Sequence, residues 1–307
     1  MKTNMKRLLA VILSALMVLC ACPAVFAEDA PAPQFADEVS VYEAAQDSVP
    51  GYEEQAEAAQ AQADESEQAL NYVLLGDSIA KGAGIVNYEE ACYGKIIANT
   101  NGYNFVNYGV DGLKSSQLLA MFKRQDVKES IKNADIINIS IGGNNYLHGN
   151  IPLLLLGVLF RIDPILDNVL DAYYEDLCQI FGIIREANPD AVILMQTLYN
   201  PSTGIFRPLL QYGADKLNER IFQYDKEHPD TIIIVDIAAK LNGKGYCFAF
   251  IHPTARGNEE IAKILLKVLY DLGLGKSTEP VIKVKGRNTI ELLPAYILNP
   301  LKIIPFI

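Results

Sequence analysis

From Asn71 onward, short apolar runs alternate with longer amphipathic stretches, and this alternation restricts the possible folds more than any other feature of the chain. Residues 72–75, 105–108, 136–141, 191–196 and 232–237 are short runs rich in Val, Ile, Leu and aromatic side chains. Such runs read as strands buried in a sheet. Helical spacing marks residues 91–99, 115–122, 169–187, 213–225 and 254–272. Strand and helix in repeated succession predict an α/β fold, a parallel sheet covered by helices on both faces. In such sheets reactive groups gather beyond the carboxyl ends of the strands.

The chain before residue 70 is different in kind. Lys2, Lys6 and Arg7 precede a short apolar run from Leu8 to Leu19, and Ala24-Val25-Phe26-Ala27 offers small residues for cleavage before Glu28. That is the layout of a secretory signal peptide over residues 1–27, and the run is short for a membrane span. Leu19-Cys20-Ala21-Cys22 loosely fits a lipid-attachment box with Cys22 as acceptor, but Cys at its second position and Pro23 fit poorly. Ordinary cleavage, and a secreted or extracytoplasmic protein, is the expectation. Residues 28–69 hold twelve acidic side chains and no Lys or Arg, and read as a solvated linker. The rest, from Leu70, carries 25 acidic against 23 basic residues. With no basic patch, nucleic acid is not an expected partner. Removing the leader leaves Cys92, Cys178 and Cys247, with no spacing for a metal site or disulfide framework. The domain is expected over 70–277, followed by an apolar, proline-containing extension over 278–307.

Polar motifs fall where the fold places chemistry. The first strand ends in Gly76-Asp77-Ser78, a turn that can present a hydroxyl beside backbone N–H groups. The second ends in Asn107-Tyr108-Gly109-Val110-Asp111-Gly112 and the third in Gly142-Gly143-Asn144-Asn145. His252-Pro253-Thr254 stands just ahead of the last helix, where an imidazole can reach over the sheet edge as a base. Each piece alone has a plain structural reading: a capped turn, a glycine turn, a helix start.

Their order over residues 71–272 resembles the SGNH, or GDSL-type, esterases and lipases. The resemblance implies a flavodoxin-like three-layer α/β/α sandwich and two-step acyl transfer without metal or organic cofactor. By position, Ser78 would be the nucleophile and His252 its base. The N–H groups of Ser78 and Gly112 and the amide of Asn144 would form the oxyanion hole. Asn145 stands where the family usually has Asp. A larger departure is Ala249: the family places an Asp three residues before the histidine, and no carboxylate lies between Leu241 and His252. Loss of the corresponding Asp in a serine protease costs about 10⁴ in kcat. Three readings stay open: a Ser–His dyad oriented by a backbone carbonyl, a carboxylate from elsewhere such as Asp236, or a catalytically impaired protein that binds a ligand. The remaining histidines are His148, just past the Asn144 loop, and His228, in a surface-like turn.

Residues 151–160 form an apolar stretch directly after the Asn144 loop, read either as a lid or acyl-binding wall or as ordinary packing. Pro294, Pro300 and Pro305 interrupt the closing apolar stretch 290–307, which packs on the domain or touches a membrane surface. A small-molecule or lipid ester is the expected substrate, with a carbohydrate O-acetyl ester as the alternative. Membrane-surface or cell-wall association stays open, and oligomeric state is not written in the sequence.

Overall fold

The computed structural model describes residues 69–147, 164–202, 207–245, 248–249 and 251–289. The expected leader, nearly all of the acidic linker, His148, Cys247, the 151–160 stretch and the 290–307 stretch lie outside the described residues.

Five parallel strands form one sheet in the order β2-β1-β3-β4-β5: β1 (Asn71–Gly76), β2 (Asn104–Gly109), β3 (Ile136–Ser140), β4 (Val192–Gln196) and β5 (Ile233–Val235). Register is continuous, with Leu75 opposite Tyr108 on one side and Ile139 on the other. The chain leaves β1 toward β2, then returns to place β3 on the opposite side. The strand order therefore reverses at β1, and a crevice opens at its carboxyl end. The fold class expected from the strand–helix alternation is the one observed.

Alternation along β1, β3 and β4 divides the core in two. Val73, Leu75, Ile137, Ile139, Ile193 and Met195 face α4 (Ser115–Met121), α5 (Gln125–Lys132), α7 (Pro164–Ala187) and α8 (Arg207–Glu227). Tyr72, Leu74, Ile136 and Leu194 face α3 (Tyr93–Asn101) and α10 (Ala255–Asp271). Each fully buried aliphatic side chain contributes about 1.5–3 kcal/mol, so both faces stabilise the strand ends that carry the site. β2 departs from the buried strand expected. As an edge strand it leaves Val106 41% exposed.

Short elements complete the molecule: α1 (Ser78–Lys81), α2 (Tyr88–Ala91), α6 (Gly143–Leu147), α9 (Ala238–Leu241), and a hairpin of β6 (Phe248–Ala249) with β7 (His252–Pro253). After α10, residues 276–289 run back over the domain. Lys276 N–H donates to Asn101 and Val281 N–H to Thr100, both on α3. Among the described residues no helix is long and apolar enough to cross a membrane. Cys92 and Cys178 are free thiols.

Candidate active site

Ser78 is set by close backbone packing. Gly76 takes φ +146°, and a Cβ there would lie 2.0 Å from the Ser140 carbonyl oxygen. Only glycine lets β1 leave the sheet so near β3. Asp77 N–H then donates to Ser140 O at 3.1 Å, and its Oδ1 accepts the Ile79 N–H at 2.9 Å, capping α1. On the other side Asn107 donates to Ala80 O at 3.0 Å and accepts the Gly109 N–H at 2.8 Å. A Cβ on Gly109 would stand 2.2 Å from the Lys81 nitrogen. Ser78 thus sits at the crevice, 8% exposed, with α1 wedged between β2 and β3.

His252 arrives from the far end of the domain. Its Nε2 lies 3.0 Å from Ser78 Oγ, within hydrogen-bond reach. The β6–β7 hairpin pairs Ala249 with His252, and Tyr199 OH donates to Ile251 O at 3.0 Å. Burial lowers the pKa of the imidazole, and the charge of Asp111 acts against that shift. Asp111 is itself paired with Lys81 at 2.6 Å. Among the described residues no carboxylate hydrogen-bonds His252. Asp236 is engaged elsewhere: its Oδ1 accepts from Thr197 Oγ1 at 3.0 Å and from Ala239 N–H at 3.1 Å, at the start of α9. His228 is exposed on a surface turn against the Tyr224 ring.

The third strand and the turn after β2 bring the remaining expected residues together. Gly112 has φ +74°. Asn144, at the start of α6, donates to Leu113 O at 3.1 Å, which joins it to the Gly112 turn. Its Nδ2 is 3.5 Å from Asp77 Oδ2, too long for a good bond, so its second hydrogen is not firmly committed. Among the described residues the N–H groups of Ser78 and Gly112 have no acceptor.

Asn145 accepts the Ser115 N–H at 3.1 Å and donates to Ser115 Oγ at 2.6 Å, while that hydroxyl donates to Asp176. The carboxylate of this half-buried junction comes from α7, which accounts for an amide at position 145. A second carboxylate there would repel the first.

Asp77 is buried, and burial raises its pKa to about 7, with Asp111 adding in the same direction and the Ile79 N–H opposing. Between the ordinary aspartate value of 3.8 and about 7, the folded form therefore keeps a proton that an unfolded chain would have lost. The stability this gives is complete below that window and lost as pH rises through it.

Beside Ser78 a largely apolar cleft opens between α6 and α8. Ser78 and Asn144 line it together with Tyr146, Leu147, Leu198, Leu210, Ala214 and Leu217. Gly213 permits the Tyr146 ring to lie flat on α8, since a Cβ there would come within 2.4 Å of the ring.

Sequence reasoning missed Tyr199, Asp111 as the charge acting on His252, and the α8 wall of the cleft. The signal for Tyr199 was present: Thr197-Leu198-Tyr199-Asn200 follows β4 at its carboxyl end, as the motifs after the first three strands do. Asp111 lay inside a quoted motif, but only folding brings it to His252.

Residues 74–260 match the model of the GDSL-like lipase/acylhydrolase family. The chain is 26% identical over 216 residues to the uncharacterized protein YpmR of Bacillus subtilis, covering 66% of this chain and 82% of that one. It is 24% identical over 208 residues to the spore germination lipase LipC of Bacillus licheniformis, covering 64% and 94%. A solved structure, the lipase Lip_vut3 from a goat rumen metagenome, is similar with a TM-score of 0.55 at 23% identity, covering 68% of this chain and 99% of that one.

Proposed function

The chain belongs to the GDSL-like lipase/acylhydrolase family, and from that premise we propose that it is an exported serine hydrolase of acyl esters whose acyl chain is longer than acetyl. The observation that carries this reading is the 3.0 Å contact of His252 Nε2 with Ser78 Oγ at the edge of an apolar cleft. Ser78 Oγ attacks the ester carbonyl while His252 Nε2 takes its proton. The N–H groups of Ser78 and Gly112 and the Asn144 amide hold the resulting oxyanion. His252 returns the proton to the leaving alcohol as the acyl-enzyme forms. Water, deprotonated by His252, then attacks the acyl carbonyl; the bond to Ser78 Oγ breaks, the acid leaves, and His252 returns the proton to Ser78 Oγ. Burial favours the neutral imidazole, the form a base requires. The apolar lining of the cleft suits an aliphatic chain better than a sugar ring with an acetyl group.

A second reading, a non-catalytic binding protein of the same fold, draws on Ala249 and on the absence of a carboxylate at the imidazole among the described residues. One experiment separates them. Purified protein is treated with a fluorophosphonate probe and assayed on p-nitrophenyl esters from acetate to decanoate, beside Ser78→Ala. Labelling of wild type alone, with a preference for chains beyond acetate, supports the proposal. Unlabelled wild type makes it a binder, and activity on acetate alone rules out the lipid-like ester. Export adds its own expectation: the mature N-terminus is Glu28, and a lipid on Cys22 would replace secretion with anchoring.

A further inference from the structure

The stretch 285–289, beyond the residues that match the family model, joins the two loops that carry Ser78 and His252. On the nucleophile side it pairs with residues 84–87, the loop that follows α1. Val86 N–H donates to Arg287 O at 2.8 Å, Arg287 N–H to Asn87 Oδ1 at 2.8 Å, and Asn87 Nδ2 to Lys285 O at 3.1 Å. Thr289 donates to Gly84 O through its N–H at 3.0 Å. The same loop is tied back to the nucleophile, since Ala83 N–H donates to Ser78 O at 2.9 Å.

On the base side, Asn288 Oδ1 accepts the N–H of Ala255 at 2.8 Å. Ala255 is the first residue of α10, where an N–H has no partner within the helix. Thr254 caps a different donor, the Gly257 N–H. Gly84 closes the circuit. Its φ is +107°, and a Cβ there would stand 2.4 Å from Pro253 O and 3.1 Å from His252 Cβ. The Gly84 backbone therefore bears directly on the histidine turn, and Gly286 packs likewise on Ala255.

We propose that this C-terminal strap, through Asn288, is a positioning element for the Ser78–His252 pair: by holding Ala255 and the Gly84 loop together it sets where the imidazole stands. The inference rests on the serine-hydrolase reading. It assigns to a backbone clip some of the placement that a carboxylate three residues before the histidine would otherwise give. Asn288 touches neither substrate nor the reacting atoms.

The test compares Asn288→Ala, Asn288→Asp and Thr100→Val with wild type in the full mature chain. Readouts are kcat, KM, fluorophosphonate labelling rate and Tm. Asn288→Ala should lower kcat and the labelling rate together by about tenfold with KM nearly unchanged, as small misplacements of a reacting group do. Asn288→Asp keeps Oδ1 and should stay within about threefold of wild type. Thr100→Val removes the distant anchor of Val281, and should lower Tm without touching kcat. Wild-type kcat in Asn288→Ala, whatever its Tm, overturns the inference, as does an Asn288→Asp protein no better than the alanine variant. If wild type itself is not labelled, the serine-hydrolase reading falls instead, so the two failures are distinct.

Discussion

Ser78 and His252 stand 3.0 Å apart, yet the chain holds them by different means. Ser78 rises from the centre of the sheet, where Gly76 and Gly109 admit backbone from β3 and α1 at distances no side chain tolerates. His252 comes from a two-residue strand at the domain's edge, held by Tyr199, Asn288 and the Gly84 loop. The nucleophile is fixed by steric exclusion inside a cooperative core. The base is fixed at the domain's edge by the close approach of the Gly84 backbone and by hydrogen bonds between segments distant in sequence, each worth about 1 kcal/mol. Disturbing the first should cost the fold, and disturbing the second should cost turnover in a protein that still folds.

Two glycines give this contrast its strongest test. Gly76→Ala drives a Cβ into Ser140 O at a φ that L-residues avoid. We expect a loss of more than about 3 kcal/mol, a Tm drop of roughly 10 °C or failure to fold. Gly84→Ala instead presses on Pro253 O and His252 Cβ. It should reduce kcat by about 100-fold with a smaller loss of Tm. Equal stability losses with equal loss of turnover would mean that both halves belong to one rigid unit.

The same division explains what was legible before the structure. Five strands, their parallel arrangement and the main helices followed from apolar runs and helical spacing, because burial on both sheet faces imposes those patterns. Ser78, Gly112 and Asn144 lie at strand ends, and the sheet rule alone directs attention there. His252 was identified by its place before the last helix, but its surroundings were not. Asn288 is 33 residues beyond the Ala255 that it caps, and an Asn in a polar stretch carries no periodic signal. Helix α5 was missed although Val127 and Ile131 stand four residues apart on one buried face, because the rest of the segment is charged or polar. The alternative orienting carboxylate, Asp236, followed from nearness in sequence. In the fold it caps α9.

A carboxylate can be returned to the base side to see how much the strap leaves undone. The hairpin register pairs position 249 with His252. Ala249→Asp is expected to raise kcat by about tenfold and to move the acid limb of the pH–rate profile upward, because a nearby negative charge favours the imidazolium. Unchanged kcat with a shifted limb would show that the imidazole is already placed as well as a carboxylate can place it. The contrast between the two halves would then weaken.

Substrate length tests the nucleophile side without touching the pair. Gly213→Ala must displace the Tyr146 ring, and Tyr146 lines the cleft two residues beyond Asn144. Narrowing the cleft should lower the octanoate-to-acetate ratio of kcat/KM by about fivefold while leaving fluorophosphonate labelling unchanged. An equal fall on acetate would mean that the displacement reaches Asn144, and that this wall belongs to the oxyanion site rather than to the acyl chain.

The smallest effect bears on the electrostatics of the base. Burial lowers the His252 pKa, and Asp111 partly opposes it by favouring the charged imidazole. Asp111→Asn removes the opposing charge and leaves the ammonium of Lys81 without its partner, so both changes push the pKa further down. The acid limb of kcat/KM should move to lower pH, with the plateau rate nearly unchanged. Because the Asp111 side chain is 58% exposed, salt should shrink the difference between variant and wild type. A shift upward, or one that salt does not touch, would assign control of the imidazole to another group and make the base side as insulated as the nucleophile side.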